Sequence, residues 1–252
     1  MGIDLSTLVF EADRYLAAAK IADYCPNGLQ VEGRSRVKRI VSGVTASQAL
    51  LNAAVAAEAD LVLVHHGYFW KNENPRITGM KQRRLKTLLG HDLSLLAYHL
   101  PLDVHPEVGN NVQLARLLDL QVDGPLEPEN PRSVALVGHL EKPLTAREFA
   151  QRIAVALDRE PLLVDCERPI RRVGWCTGGG QGYIDQAIAA GVDLYLTGEA
   201  SEQTFHSARE NGIGFIAAGH HATERYGVKA LGEYLARHFG IEHRFIDCDN
   251  PI

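Results

Sequence analysis

Two stretches of this chain run parallel without a gap at an offset of 133 residues, and a segment carried twice commits the chain to building one local fold twice. Arg39-Ile40-Val41 through Asp60-Leu61-Val62-Leu63 lies over Arg172-Val173-Gly174 through Asp193-Leu194-Tyr195-Leu196, with Gln48 on Gln181 and Asp60 on Asp193. Each copy reads as a short strand, a turn of small residues, an alanine-rich helix (48–57 and 184–190) and a buried strand introduced by aspartate. A further helix (80–89 and 202–211) and a further apolar strand (93–98 and 213–218) follow each copy. That alternation implies an α/β unit used twice. The join is expected in the proline- and turn-rich stretch Asp123-Gly124-Pro125 to Asn130-Pro131, giving a first repeat over residues 1–125 and a second over 126–252. A last helix (228–238) and a last strand (244–247) are expected to close the second repeat.

Residues that bind metals gather where these strands end. His65-His66 closes the apolar run Leu61 to Val64, and His220-His221 closes a second run with Glu224 close behind. Imidazole is the commonest metal ligand. Side chains alternate along an extended chain, so His65 and His66 are expected on opposite sides, suited to two different ions. Between the pairs, the run 93–100 breaks at Pro101 and delivers Asp103, flanked by His99 and His105. Glu224 follows His220 by four residues, which places both on one face if that segment has entered a helix. In open α/β sheets sites form at strand exits, so a site shared by two related halves follows. Two divalent ions a few ångströms apart would activate a water between them for hydrolysis. The mixed imidazole and carboxylate set suits zinc, iron, manganese or nickel better than calcium or magnesium.

Other candidates carry two readings each. His99 and His105 could shuttle a proton, and His105 could instead cap the helix that follows. Glu199, which stands at the place of His66 in the second copy, could orient a ligand or cap a helix. Thr177-Gly178-Gly179-Gly180-Gln181-Gly182 could hold an anion on its backbone N–H groups, or supply a tight turn and close packing. Tyr68, Phe69 and Trp70 could stack on a purine or pack an interface.

Bulk properties narrow the classes. The 252 residues, 46% hydrophobic and 23% charged, are those of an ordinary globular protein. A net charge of −5 gives no general attraction to phosphate backbones, so a polynucleotide partner is not expected. Cys25, Cys166, Cys176 and Cys248 form no C-x-x-C pair and read as reduced thiols. With no membrane-length apolar stretch and no basic-then-apolar start, the expected location is the cytoplasm.

Assembled, the motifs resemble the NIF-three-like dinuclear metal family, whose members are labelled type 2 homologues of GTP cyclohydrolase 1. The matching stretches are Asp23-Tyr24-Cys25-Pro26-Asn27-Gly28-Leu29-Gln30-Val31-Glu32-Gly33, Gly43 to Ser47, Val64 to Trp70 and His99 to Asp103. They continue through Gly109-Asn110-Asn111, Thr177 to Gly180, Thr197-Gly198-Glu199 and Gly219 to Glu224. The likeness is closest to the short bacterial members, and Gly67 stands where many relatives carry proline. The resemblance implies two intertwined α/β repeats with mixed sheets, assembled as a ring-shaped homohexamer. It also implies two divalent ions per subunit held by His65, His66, Asp103, His220 and Glu224. One ion would go to His66 and Asp103 and the other to His65 and His220, with Glu224 bridging and His99 a neighbour. The implied activity is metal-dependent hydrolysis of a nucleotide or related heterocycle, GTP opened at its imidazole ring with release of formate, in which His99 and Glu224 serve catalysis. The other class of function is a metal-braced ring acting as an adaptor or metal-handling protein.

Overall fold

The computed structural model describes residues 2–130 and 133–252. They form two compact units, one made of the chain up to Gly109 with Gly227–Asp249, the other of Asn110–Tyr226 with Asn250–Ile252.

In the first unit the strand order is Glu242–Phe245, Arg39–Thr45, Leu61–His66, Ser94–Ala97 and Gly28–Val31. Adjacent strands pair parallel except Gly28–Val31, which runs antiparallel to Ser94–Ala97. Leu61 and Leu63 enter a core with Leu8, Tyr98, Leu231 and Leu235. Val62 and Val64, pointing the other way, enter a core with Leu50, Leu51 and Leu88. Apolar packing on both faces is why the run Leu61 to Val64 is continuously apolar rather than alternating. Ser47 starts the helix Gln48–Ala56 by accepting a hydrogen bond from the Leu50 N–H.

The second unit has the order Leu120–Pro125, Leu136–Leu144, Ile170–Cys176, Leu194–Thr197, Gly214–Ala217 and Leu162–Val164. Trp175, Leu194 and Leu196 pack with Phe149 and Ile153 on one side. On the other, Tyr195, Phe215 and Cys176 pack with Ala187 and Ala208.

The duplication is visible in hydrogen bonds. Ile40 faces Leu61 and Val173 faces Leu194, the same register displaced by 133 residues. In the first unit the Asp60 carboxylate accepts from the N–H groups of Lys38 and Arg39 at 2.7 and 3.0 Å. In the second, Asp193 accepts from Arg171 and Arg172 at 3.0 and 2.8 Å. Each aspartate satisfies backbone donors at the start of one strand from the head of its neighbour. The likeness reaches further than the sequence showed, since Leu162–Val164 also pairs antiparallel with the strand Gly214–Ala217, as Gly28–Val31 does with Ser94–Ala97.

The units do not divide at 125/126. Residues 110–125 belong to the second unit because Leu114, Ala115, Leu118 and Leu120 pack in the core around Trp175, and Leu120–Pro125 pairs with Leu136–Leu144. The turn formers read as a join instead bend this hairpin, and Pro131 lies outside the described residues. Conversely, Val228, Leu231 and Leu235 pack in the first unit. The last helix begins at His220 rather than 228, and the last strand is Glu242–Phe245 rather than 244–247.

Asp60→Ala and Asp193→Ala are each expected to lower unfolding free energy by about 1–3 kcal/mol, the cost of stranding backbone donors. Denaturant titration of the two variants checks it, and a loss within error of zero in both would show that the paired aspartates do not hold the strand starts.

Candidate metal centre

In the first unit the strand Leu61–His66 leaves the sheet on two imidazoles. His65 is fully buried, and its Nδ1–H donates to the Tyr98 carbonyl at 2.9 Å. His66 has Thr45 Oγ1 3.2 Å from its Nδ1. The two rings do not diverge across the sheet. Their centroids are 4.5 Å apart, contrary to the expectation that they lie on opposite sides.

The neighbouring strand exit supplies the rest. The segment after Ala97 carries His99 into the short helix Leu100–Asp103, and Asp103 Oδ1 lies 3.5 Å from His65 Nε2. His99 is buried and its Nδ1 meets Asp23 Oδ1 at 3.0 Å. Asp23 also accepts from the backbone N–H of Tyr24 and Leu100 and from the Asn27 side chain. Burial would raise the Asp23 carboxyl, but the hydrogen bonds from His99, Asn27 and Leu100 together hold it well below the usual carboxylate range. Cys25, beside Asp23, is pushed up to about 12 by burial and the Asp23 charge, so its thiol stays protonated. Trp70 meets the His99 ring edge-on at 5.0 Å between centroids, and Tyr24 does so at 5.0 Å.

In the second unit the start of the helix His220–Phe239 carries His220 and Glu224. His220 Nε2 lies 3.2 Å from Glu224 Oε2, the i, i+4 contact expected of a helix. His220 Nδ1 meets Glu199 Oε1 at 2.6 Å, and Gln181 donates to the other Glu199 oxygen. Glu199 therefore orients the His220 ring; the helix that follows it is capped by Ser201. Burial would lower the His220 pKa, but Glu224 and then Glu199 outweigh it and raise it to about 9. Without a metal, His220 is an imidazolium clamped between two carboxylates at neutral pH.

The glycine turn serves packing. Its N–H groups at Thr177, Gly178 and Gly180 donate to Asn111, Thr223 and Thr197, so they hold no anion. Gly178 has φ +67° and a Cβ there would collide with Glu224 Oε1 and come within 3.1 Å of His220 Nε2. Gly67 is needed for space too, since a Cβ would strike the Gln30 side chain and lie 2.7 Å from Ala97 Cβ. His105 is excluded as a shuttle. Its Nε2 donates to the Tyr15 carbonyl and its Nδ1 accepts from the N–H groups of Glu107 and Val108. Tyr68 is buried with its hydroxyl on the Ala46 carbonyl, which leaves Trp70 as the member of the aromatic trio beside the histidines.

Among the described residues, groups whose donor atoms lie within 4.8 Å of one another include His65, His66 and His99, and Asp23, Cys25 and His99. Imidazoles held by one nitrogen, with carboxylates beside them, fit a divalent transition ion. The model for Duf34/NIF3 (NGG1p interacting factor 3) matches residues 3–251. The chain belongs to the DUF34/NIF3 family. A Pseudomonas aeruginosa relative named GTP cyclohydrolase 1 type 2 homolog is 75% identical over 251 residues, covering 100% of both chains. A Haemophilus influenzae relative of the same name is 57% identical over 238 residues, 94% of each. Among solved structures, a protein ybgI of unknown function matches with a TM-score of 0.95 at 52% identity, over 99% of this chain and 100% of the other. TTHA1606 from Thermus thermophilus matches at 0.90 and 35%, with the same coverage. The NIF3 fold expected from the motifs is thus the fold observed.

Sequence reasoning put His65, His66, Asp103, His220 and Glu224 among the ligands, and each lies beside at least one other donor within its own unit. It missed Asp23 and Thr45 as orienting groups, although both stand inside the quoted family stretches. It could not have found the Tyr98 carbonyl, which carries no side-chain signal.

In the metal-free protein the His220 resonance is expected to titrate near pH 9 in an NMR pH series. Its pKa lies above the ~6.5 of a free imidazole. The stability it contributes is therefore complete below about 6.5 and lost as pH rises through 9. A midpoint at or below 6.5 would contradict the carboxylate clamp. Gly178→Ala is expected to weaken metal uptake by displacing Glu224, and a binding isotherm matching the parent would show that the close approach is dispensable.

Proposed function

We propose that this protein is a dinuclear metal-dependent hydrolase of the GTP cyclohydrolase 1 type 2 homologue kind, acting on a nucleotide or related heterocycle. His65, His66 and Asp103 with His220 and Glu224 furnish the ligands of two divalent ions drawn from zinc, iron, manganese and nickel. The observation that carries this reading is that His65, His66 and His220 each have Nδ1 engaged by an orienting group, with Asp103 or Glu224 close to a ring Nε2 in each unit. The relatives' names support the same reaction class.

When bound, such ions supply Lewis acidity, lowering the pKa of a water and offsetting charge that develops at the attacked centre. The protein's own part is positional. Tyr98, Thr45 and Glu199 fix ring orientations, which keeps donor atoms in place before metal or substrate arrives. His99, held by Asp23, is the group beside His65 and His66 that could accept a proton. Trp70 and Tyr24 form an aromatic wall on which a heterocycle could stack. In keeping with the family, the working form is proposed to be a homohexameric ring in the cytoplasm. Among the described residues no helix is long and apolar enough to cross a membrane.

The test is a screen of protein reconstituted with each metal against nucleotides and phosphoesters, with products read by mass spectrometry. A ring-opened or deformylated guanine product is expected, falling at least about 100-fold in His65→Ala and Glu224→Ala, the scale on which positioned proton-transfer and ligand groups act. A blank with every metal, together with a large drop in melting temperature on chelation, would favour a metal-braced adaptor.

A further inference from the structure

The charge of the first unit is unevenly spread. Between residues 71 and 86 lie six cations, Lys71, Arg76, Lys81, Arg83, Arg84 and Lys86, against the single acid Glu73. The segment carries +5, and the rest of a chain of net charge −5 therefore carries −10. It comprises the loop after Trp70 and most of the helix Gly79–Gly90, and most of it is exposed.

Two of the cations and the acid are used within the segment. Lys81 Nζ lies 3.1 Å from Glu73 Oε1 and 5.2 Å from the centre of the Phe69 ring, and it donates to the Asn74 carbonyl at 3.3 Å. The other Glu73 oxygen accepts from the Trp70 N–H at 3.1 Å, and the Trp70 indole N–H donates to the Gly67 carbonyl at 3.2 Å. Arg84 lies over the Tyr68 ring. The Lys71 N–H donates to the Tyr24 carbonyl at 2.8 Å. These contacts pin the loop to the start of the helix and hold the indole beside Tyr24, with ring centroids 5.7 Å apart. Lys71, Arg76, Arg83 and Lys86 are exposed, and among the described residues none of the four engages a carboxylate.

A merely solvated helix face would intersperse acids at i, i+4 spacing. Here the one acid is spent on Trp70, and the free cations repel one another unless an anion from outside joins them. The neighbouring rings decide which anion. An indole with a tyrosine beside it takes a planar ring by stacking, and Lys71 follows that indole directly in the chain. A long polyanion would also meet the −10 carried by the rest of the chain, which a short polyphosphate avoids.

We infer that residues 70–86 form a nucleotide-recognition element, in which a purine stacks on Trp70 beside Tyr24 while Lys71 and Arg76 hold its phosphates. Arg83 and Lys86 add to the field that draws the phosphates in. The inference rests on the proposed nucleotide substrate, and adds that a nucleoside polyphosphate is preferred over the bare nucleoside.

The test titrates the full chain, stripped of metal so that no ion draws the phosphates, with GTP, guanosine and inorganic tripolyphosphate. Of the two tryptophans, Trp175 is fully buried, so quenching of fluorescence that disappears in Trp70→Leu reports a base on Trp70. GTP is expected to quench, to bind at least about tenfold more tightly than guanosine, and to weaken as salt is added. Tripolyphosphate should compete with GTP without quenching. In Lys71→Gln/Arg76→Gln, calorimetry should show GTP weakened at least about tenfold, the scale of lost charged hydrogen bonds, with guanosine unchanged. Equal affinity for GTP and guanosine, GTP binding unaltered in the charge variant, or quenching retained in Trp70→Leu would each overturn the element. So would a single-stranded oligonucleotide or phosphatidylglycerol vesicles held more tightly than GTP through the same two cations, an outcome that would give the segment to a polymer or to a membrane surface facing the exposed Ile77 and Met80. Guanosine that binds while the charges play no part would remove this element and leave the nucleotide reading. GTP bound as expected but never turned over by the metal-loaded chain would remove the hydrolase reading and leave the element.

Discussion

An imidazole has two nitrogens, and how a protein engages one decides what the other can do. In this chain the rule separates His105 from the histidines at the strand exits. His65, His66, His99 and His220 each have Nδ1 against a carbonyl, a hydroxyl or a carboxylate. His105, by contrast, has both nitrogens in structural hydrogen bonds, although it lies only two residues from Asp103. Proximity in sequence to a carboxylate is therefore a weaker guide than the partner of the second nitrogen. That partner is supplied by the fold, often from far along the chain: Asp23 for His99, Tyr98 for His65.

The two copies carry different residues at matching places. Displaced by 133 residues, Thr45 falls on Gly178, His65 on Gly198 and His66 on Glu199. In the second copy the start of the helix His220–Phe239 crowds the strand exit: a Cβ at Gly198 would come within 2.7 Å of the His220 Cα, and one at Gly178 would strike Glu224. A histidine pair cannot stand there. The helix that fills the space brings its own imidazole and carboxylate, and the residue at the position of His66, Glu199, holds that imidazole by Nδ1. The same strand exit thus carries a histidine pair in one copy and, in the other, a carboxylate that holds a histidine from the next helix.

What was legible in the sequence follows the range of each interaction. The run Leu61 to Val64, the helix Glu202–Asn211 and the i, i+4 pair His220/Glu224 are set by local periodicity, and they could be read directly. The boundary at 125/126 failed because glycine and proline mark a turn without saying what it connects. Only the burial of Leu114 and Leu120 around Trp175, and of Leu231 and Leu235 with Leu8, assigns those segments to their units. The expectation that His65 and His66 point apart failed as well: both belong to the strand, yet their ring centroids lie 4.5 Å apart.

The glycine turn shows how two readings of one motif are separated. A stretch from Thr177 to Gly182 between a strand and a helix looks the same in sequence whether it grips an anion or makes room. Anion binding needs N–H groups aimed at open space. Here three of them are given to Asn111, Thr223 and Thr197, and the missing side chain at Gly178 is where Glu224 sits. The absence of Cβ therefore serves the carboxylate rather than a phosphate. The turn is thereby tied to the placement of Glu224 and His220.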